Sequence, residues 1–238
     1  MRIEIWSDVV CPWCYIGKRR LEAALAQFPH RDDVEVVYRS FELDPSAPEV
    51  PVETVVESLA RRWGTDVAGA REAMARGDEV AAEVGLHFRH HDAPHARTVD
   101  AHRLLHLALD EGADEGVQPA LKEALLDAYF TRGESMADHG VLRTAAIGVG
   151  LDPARVDEVL AGDEYAGAVE ADIREAAAFG ATGVPFYVVD RKYGISGAQP
   201  TELFSQVLER AWTESQPSLA MVGGADAADA CGPDGCAL

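Results

Sequence analysis

Lysine is nearly missing from this chain. Lys18, Lys122 and Lys192 are the only three in 238 residues, so arginine carries almost all of the positive charge. That bias reads as genomic base composition rather than function. Basic charge of either kind is scarce: 21 lysines and arginines face 41 acidic residues, for a net charge of −20. Such a balance favours solubility and speaks against nonspecific adhesion to nucleic acid or anionic lipid. Long apolar runs are absent too, and nothing approaches the ~20 residues of a membrane span. The N-terminus has no charged-then-apolar leader; Met1-Arg2-Ile3-Glu4-Ile5-Trp6 alternates apolar and polar residues instead. The expectation is a cytoplasmic protein with no nucleic-acid or membrane partner. Cysteine is rare, and four in a chain this long exclude a disulfide scaffold.

Those four fall into two close pairs, Cys11 with Cys14 and Cys231 with Cys236. The rest of the composition is ordinary for a globular protein, 47% apolar and 26% charged. Residues 2–6 read as a short strand with Ile3 and Ile5 on one face. Pro12 can open a helix whose apolar face, Ile16, Leu21, Ala24, Leu25 and Phe28, ends near Pro29. Residues 34–41 make a second strand, rich in β-branched and aromatic residues. A strand–helix–strand unit of this kind has parallel strands and a right-handed crossover. Pro45, Pro48 and Pro51 then punctuate a linker.

From about 52 to 179 the pattern turns helical. Candidate helices cover 55–63, 67–84, 96–110, 118–130, 141–149, 155–160 and 165–179. Thr65-Asp66 and the 135–138 segment offer capping groups, and Gly85, Gly112, Gly150 and Gly180 offer stops. Strand chemistry returns at 184–189, followed by a turn at Asp190-Arg191-Lys192 and a second short strand at 193–196. Thr201 is expected to cap a last helix reaching about Trp212, and a mobile tail is expected beyond Ser215. The fold class is α/β, with the order βαβ, helical block, ββα, tail.

Thiol–disulfide exchange needs one attacking thiolate and a second thiol near enough to resolve the mixed disulfide. A Cys-Pro-Trp-Cys motif at the first turn of a helix supplies both. Cys11 falls at the N-cap region, where free N–H groups and the helix dipole favour a negative sulfur. Thiolates so placed have pKa values of roughly 3.5–7.5, against about 8.5 for free cysteine. Cys14, one turn on, is expected to be the more buried. Pro12 and Trp13 between the sulfurs bring no ionisable group, which points to an intermediate reduction potential. Half of a zinc site is the competing reading, but it needs a second close-spaced ligand pair. Gly183-Val184-Pro185-Phe186 starts a buried strand with a residue that has no N–H. A cis Val184–Pro185 bond is one solution and a plain strand-entry proline the other. In the cis case Val184 and Pro185 would present backbone to a substrate beside the sulfur.

With these two segments on the page, the chain resembles the DsbA-like oxidoreductases, specifically their FrnE-type subgroup. The resemblance is carried by the segments 7–17 and 180–186, and by those at 38–45, 101–104 and 193–199. It implies a thioredoxin-like domain (βαβ…ββα) with a large all-helical insertion. The corresponding boundaries are 1–47 and 181–214 for the two thioredoxin halves, 48–180 for the insertion and 215–238 for a flexible tail. It also implies dithiol–disulfide exchange through Cys11 and Cys14, on disulfide- or dithiol-containing protein substrates, with no resident cofactor. A low-molecular-weight thiol is a conceivable co-substrate, and the redox partner is unspecified. The same architecture hosts kappa-class glutathione transferases and 2-hydroxychromene-2-carboxylate isomerases, which form the alternative function.

Cys231-Gly232-Pro233-Asp234-Gly235-Cys236 is built of turn formers, so its sulfurs can meet with little strain. An auxiliary redox shuttle, an inert pair and a metal clip are the three readings of it. Asp8, three residues before Cys11, is a candidate for tuning thiol protonation. His102 and His106, four apart on a helix, are expected to line a cleft between domains. His87, His90, His91 and His95 cluster around Arg89, Asp92 and Pro94; metal binding is one reading and a solvated histidine-rich loop the favoured one, so no metal-ligand set is expected.

Overall fold

The computed structural model describes residues 1–112 and 116–215. Cys231, Cys236 and the expected mobile tail lie outside the described residues. A strand β1 (Arg2–Ser7) is followed by helix α1 (Pro12–Gln27) and strand β2 (Glu35–Ser40). Seven helices come next: α2 (Val55–Trp63), α3 (Val67–Glu83), α4 (Val99–Gly112), α5 (Val117–Phe130), α6 (His139–Gly148), α7 (Pro153–Ala161) and α8 (Ala166–Ala178). The hairpin β3 (Phe186–Val189) and β4 (Tyr193–Ser196) and helix α9 (Thr201–Ser215) close the described chain.

The sheet order is β2-β1-β3-β4. β1 runs parallel to β2, as a strand–helix–strand crossover requires, and antiparallel to β3. Leu21 of α1, Phe28 just past its end, and Phe204 and Leu208 of α9 pack with Ile3, Ile5 and Tyr187 on one face. On the other face Trp6, Phe186 and Val188 pack with Ala176 of α8. Both faces of β1 are therefore buried, where its alternating sequence suggests one face in water. Glu4, on the apparently polar face, lies under the helical block, and its carboxylate is 2.6 Å from the Arg39 guanidinium. A buried carboxylate keeps its charge in this way, through an ion pair.

The helical block has its own core, formed by Leu104, Leu107, Leu121, Leu125, Phe130 and Val156 among others. That core continues into Val9, Tyr15 and Ile16 beside the cysteine motif. Its helices begin where capping groups stand: the side chains of Asp66, Asp138 and Asp152 each accept from backbone N–H groups of the first turn. Thr54 and Glu57 complete a capping box at α2. Between β3 and β4 both Asp190 (φ 48°) and Arg191 (φ 53°) adopt the left-handed region of a type I′ turn. The Asp190 carboxylate accepts from the Arg2 N–H at 2.7 Å, which ties that turn to β1.

β2 is an edge strand, and the helical block covers its outer side. The Gln118 side-chain amide accepts from the Tyr38 N–H at 2.9 Å and donates to the Tyr38 carbonyl at 2.9 Å. Further along, the Asp172 carboxylate of α8 accepts from the Ser40 N–H at 2.8 Å.

Candidate active site

Cys11 is the N-cap residue of α1, in extended backbone conformation, and Pro12 follows at the first helical position. Proline suits that position because its missing N–H is one the helix would leave unpaired. The Cys11 carbonyl accepts from the Cys14 N–H at 3.0 Å, closing the first turn and stacking the two residues. Both cysteines are free thiols and both are 3% exposed. The expected contrast in burial between them is absent, because the helical block and residues 183–184 crowd Cys11 as well.

The register Trp6↔Phe186 between β1 and β3 brings residue 185 level with the end of β1, where the cysteine loop departs. The Val184–Pro185 bond is cis. The Cys11 thiol lies 3.6 Å from the Val184 carbonyl, within reach to donate to it. Behind them α1 approaches very closely. A Cβ at Gly17 would lie 2.3 Å from the Tyr187 hydroxyl and 3.2 Å from Pro185 Cγ, so only glycine fits.

Cys11, Pro12, Trp13, Gly183 and Val184 line one side of a cleft of about 620 Å³, and Leu59, Arg62, Trp63, Met74 and Tyr129 stand among the other lining residues. Trp13 is 44% exposed and Trp63 51% exposed. The cleft is mainly apolar, with two arginines, Arg62 and Arg76, on its helical wall. Such a surface suits an extended segment with apolar side chains.

Beneath the sulfurs lies a buried polar network. Asp8 is 1% exposed, and its carboxylate accepts from the N–H groups of Val9 and Leu43, each at 2.7 Å. His102 of α4, fully buried, places Nε2 3.2 Å from Asp8 Oδ1. Burial pushes the Asp8 carboxyl up. The hydrogen bond and charge of His102, the Leu43 N–H and the charge of Lys122 outweigh it and hold the group below its ordinary value. Lys122 of α5 is 1% exposed and reaches toward the Ser7 carbonyl, Nζ to oxygen 3.4 Å. Burial pushes its ammonium down to about 8, against the pull of Cys14 and Asp8. Burial, then the hydrogen bond and charge of Cys11, drive the Cys14 thiol well above its ordinary value, while the Lys122 charge and the Asp8 N–H oppose them.

The structure thus gathers Cys11, Cys14, Pro12, Trp13, Val184, Pro185, Asp8 and His102 around one point. His102 and His106 do not line the cleft. They turn inward to acids from other parts of the chain, His102 to Asp8 and His106 to Asp172, with His106 Nε2 3.0 Å from Asp172 Oδ2. His90 also departs from the solvated-loop expectation. It is 4% exposed, with its ring against Phe88, Tyr129 and Phe130. Sequence reasoning missed Lys122. Its signal was a lone lysine beside Leu121, Leu125 and Leu126 on an apolar helix, in a chain with only two others.

Among the described residues, no helix is long and apolar enough to cross a membrane. Comparison with known proteins agrees with this architecture. A probable DsbA oxidoreductase from Streptomyces coelicolor superposes with a TM-score of 0.83 at 49% identity, covering 100% of this chain and 99% of that one. The cytosolic disulfide reductase DsbM from Pseudomonas aeruginosa shares the fold, with a TM-score of 0.61 and 19% identity over 90% of this chain and 100% of its own. An uncharacterized protein of Bacillus subtilis, YwbO, is 26% identical over 210 residues, 87% of this chain and 96% of that protein. The model of the DSBA-like thioredoxin domain matches residues 2–209, and the chain belongs to that family of thiol oxidoreductases.

Proposed function

We propose that the protein carries out dithiol–disulfide exchange on cysteine-containing peptide segments, with Cys11 as the attacking sulfur and Cys14 as the resolving one. The supporting observation is the position of the Cys11 thiol: at the start of α1, on the cleft and 3.6 Å from the Val184 carbonyl. Cys11 thiolate attacks one sulfur of a substrate disulfide. A Cys11–substrate bond forms, and the other substrate sulfur leaves as thiolate and takes a proton. Cys14, deprotonated, then attacks the Cys11 sulfur and expels the second substrate thiolate. The substrate gains two electrons and two protons, and the enzyme is left with a Cys11–Cys14 disulfide. The reverse sequence oxidises a substrate dithiol, and the compartment's poise sets the direction.

The second attack needs the Cys14 proton removed from a buried site. Asp8, held ionised, is a weak proton acceptor. In its neutral amine form, which a value of about 8 makes accessible near neutral pH, Lys122 is better matched to receive that proton, beside Asp8 and His102. Val184 and Pro185 position the substrate backbone, and Trp13 and Trp63 flank its side chains. Cys231 and Cys236 are the proposed shuttle, exchanging with the Cys11–Cys14 pair and passing electrons between substrate and active site.

Trapping tests the assignment. Cys14→Ser incubated with a disulfide-containing peptide should accumulate a covalent adduct on Cys11, seen by intact mass and released by dithiothreitol. Cys11→Ser should form none. An adduct on Cys14, or turnover that survives Cys11→Ser, removes the proposal. A second reading, thiol-dependent isomerisation or transfer on a small molecule, draws on the two cleft arginines, which suit the carboxylates of a small thiol. That activity would persist in Cys14→Ser, whereas net redox turnover would not.

A further inference from the structure

We infer that Asp78, His90 and His91 form a binding site for a divalent transition-metal ion of the zinc class, in the wall of the cleft that holds Cys11. Asp78 comes from α3, and His90 and His91 from the turn that follows it. One carboxylate oxygen and one nitrogen of each imidazole lie within 4.8 Å of one another. Two imidazoles and a carboxylate are a donor set that borderline divalent cations favour, and three protein ligands with an open position mark reactive zinc sites. Ligands ~2.0–2.1 Å from a tetrahedral ion sit about 3.4 Å apart. Closing the site therefore takes side-chain adjustments of about an ångström, within reach of an aspartate and a half-buried histidine.

Three observations separate this cluster from a surface coincidence. His91 Nε2 lies 2.9 Å from Asp78 Oδ2, yet neither this nitrogen nor Asp78 Oδ1 has a partner in hydrogen-bonding geometry. His90 is buried, and its Nδ1 also lacks a partner. Buried polar atoms are paired in roughly nine cases in ten, and here three without a protein partner lie in one place. Finally, the rings of Phe88, Tyr129 and Phe130 pack around His90 and hold its imidazole in place.

Asp78 and His90 both line the cleft that Cys11 lines. An ion held there would stand beside the space that a substrate of Cys11 occupies. The loop that reads as solvated in the sequence becomes a site because α3 supplies the acid and three aromatic rings bury His90.

The test uses the full chain with all four cysteines replaced by serine, so that thiols contribute no binding. Titration with Co²⁺ should give one ion per chain, with the visible absorption bands of a four- or five-coordinate ion, and Zn²⁺ should displace it. Losing a group that merely orients a metal ligand costs roughly 10–100-fold in affinity. His91→Ala and Asp78→Asn, each at a partly exposed position, should therefore weaken Co²⁺ by at least about tenfold and lose the bands, with an unchanged circular dichroism spectrum. No stoichiometric binding, or a change below about tenfold in either folded variant, overturns the site and leaves the three groups hydrated by water.

Discussion

Lys122 is a buried cation beneath the cysteine turn, and its charge opposes the upward push of burial on the Cys14 thiol. Its ammonium falls from 10.5 to about 8, mainly by burial. A lysine whose folded value lies below its unfolded one holds fewer protons in the folded state between the two. Stability therefore rises with pH across that window and is lost as pH falls through about 8. Lys122→Met has no such titration. The difference in unfolding free energy between wild type and this variant should change by about 3 kcal/mol from pH 8 to 10.5 in favour of wild type, as read by urea denaturation. Parallel profiles would mean that Lys122 is not desolvated. Asp8 titrates at the other end of the scale. Its lowered carboxyl contributes stability above the unfolded value near 4, and that contribution disappears as pH falls through the folded one. Asp8→Asn should flatten the acid limb and destabilise the fold at neutral pH by roughly 1–3 kcal/mol, because the buried hydrogen bonds that the carboxylate makes to His102 and to the Leu43 N–H are weakened or lost. A neutral-pH loss under about 1 kcal/mol would show the pair to be dispensable. Cys11, Cys14 and Pro185 are legible in the sequence because their chemistry lies in short-range spacing. Lys122 is not, since it meets the Ser7 carbonyl across 115 positions of chain, and no local pattern records such a meeting.

Among the elements, α1 depends most on a single position. Gly17 lets its backbone settle against Pro185 and Tyr187, on the segment that carries Val184. Gly17→Ala must move the Tyr187 hydroxyl or lift the helix. It should cost about 1–3 kcal/mol and slow peptide disulfide exchange more than it slows alkylation of Cys11 by a small reagent, because only the first needs the Val184 edge in register. Equal effects on both rates would show that the contact serves stability alone. Element boundaries are well foreseen where a chemical stop exists: α2 begins after Thr54, and α3, α6 and α8 end just before left-handed Gly85, Gly150 and Gly180. Where no such residue stands the sequence is less informative. Helix α4 starts at Val99 rather than at 96, and α9 runs on past Trp212 to Ser215. Both departures fall where apolar residues continue the periodicity beyond, or short of, the real hydrogen-bonded turn.

Across the whole molecule, the helical block and the sheet are joined by a few buried polar residues as well as by their apolar cores. Asp172 accepts from Ser40 through its carboxylate, sits 3.0 Å from His106 Nε2, and its carbonyl accepts from the Trp6 indole at 2.8 Å. Asp172→Ala strips the carboxylate from that junction and should lower stability by roughly 3–5 kcal/mol. A shift of the urea midpoint worth less than about 1 kcal/mol would mean that the block docks by apolar contact alone. The overall order of strands and helices is legible because its periodicities are strong. The docking is not, because it rests on single polar side chains whose partners are distant in sequence.

The pairing of Gln118 with Tyr38 has a consequence for how the chain behaves in company. A strand at the margin of a sheet invites a neighbour's backbone to join it, and here one side-chain amide already occupies both the donor and the acceptor of the central residue. Cut away from its helices, the four-stranded core would recover an adhesive border, prone to zip against another copy. The intervening hundred-odd residues thus act as a guard against self-association as well as a wall for the cleft.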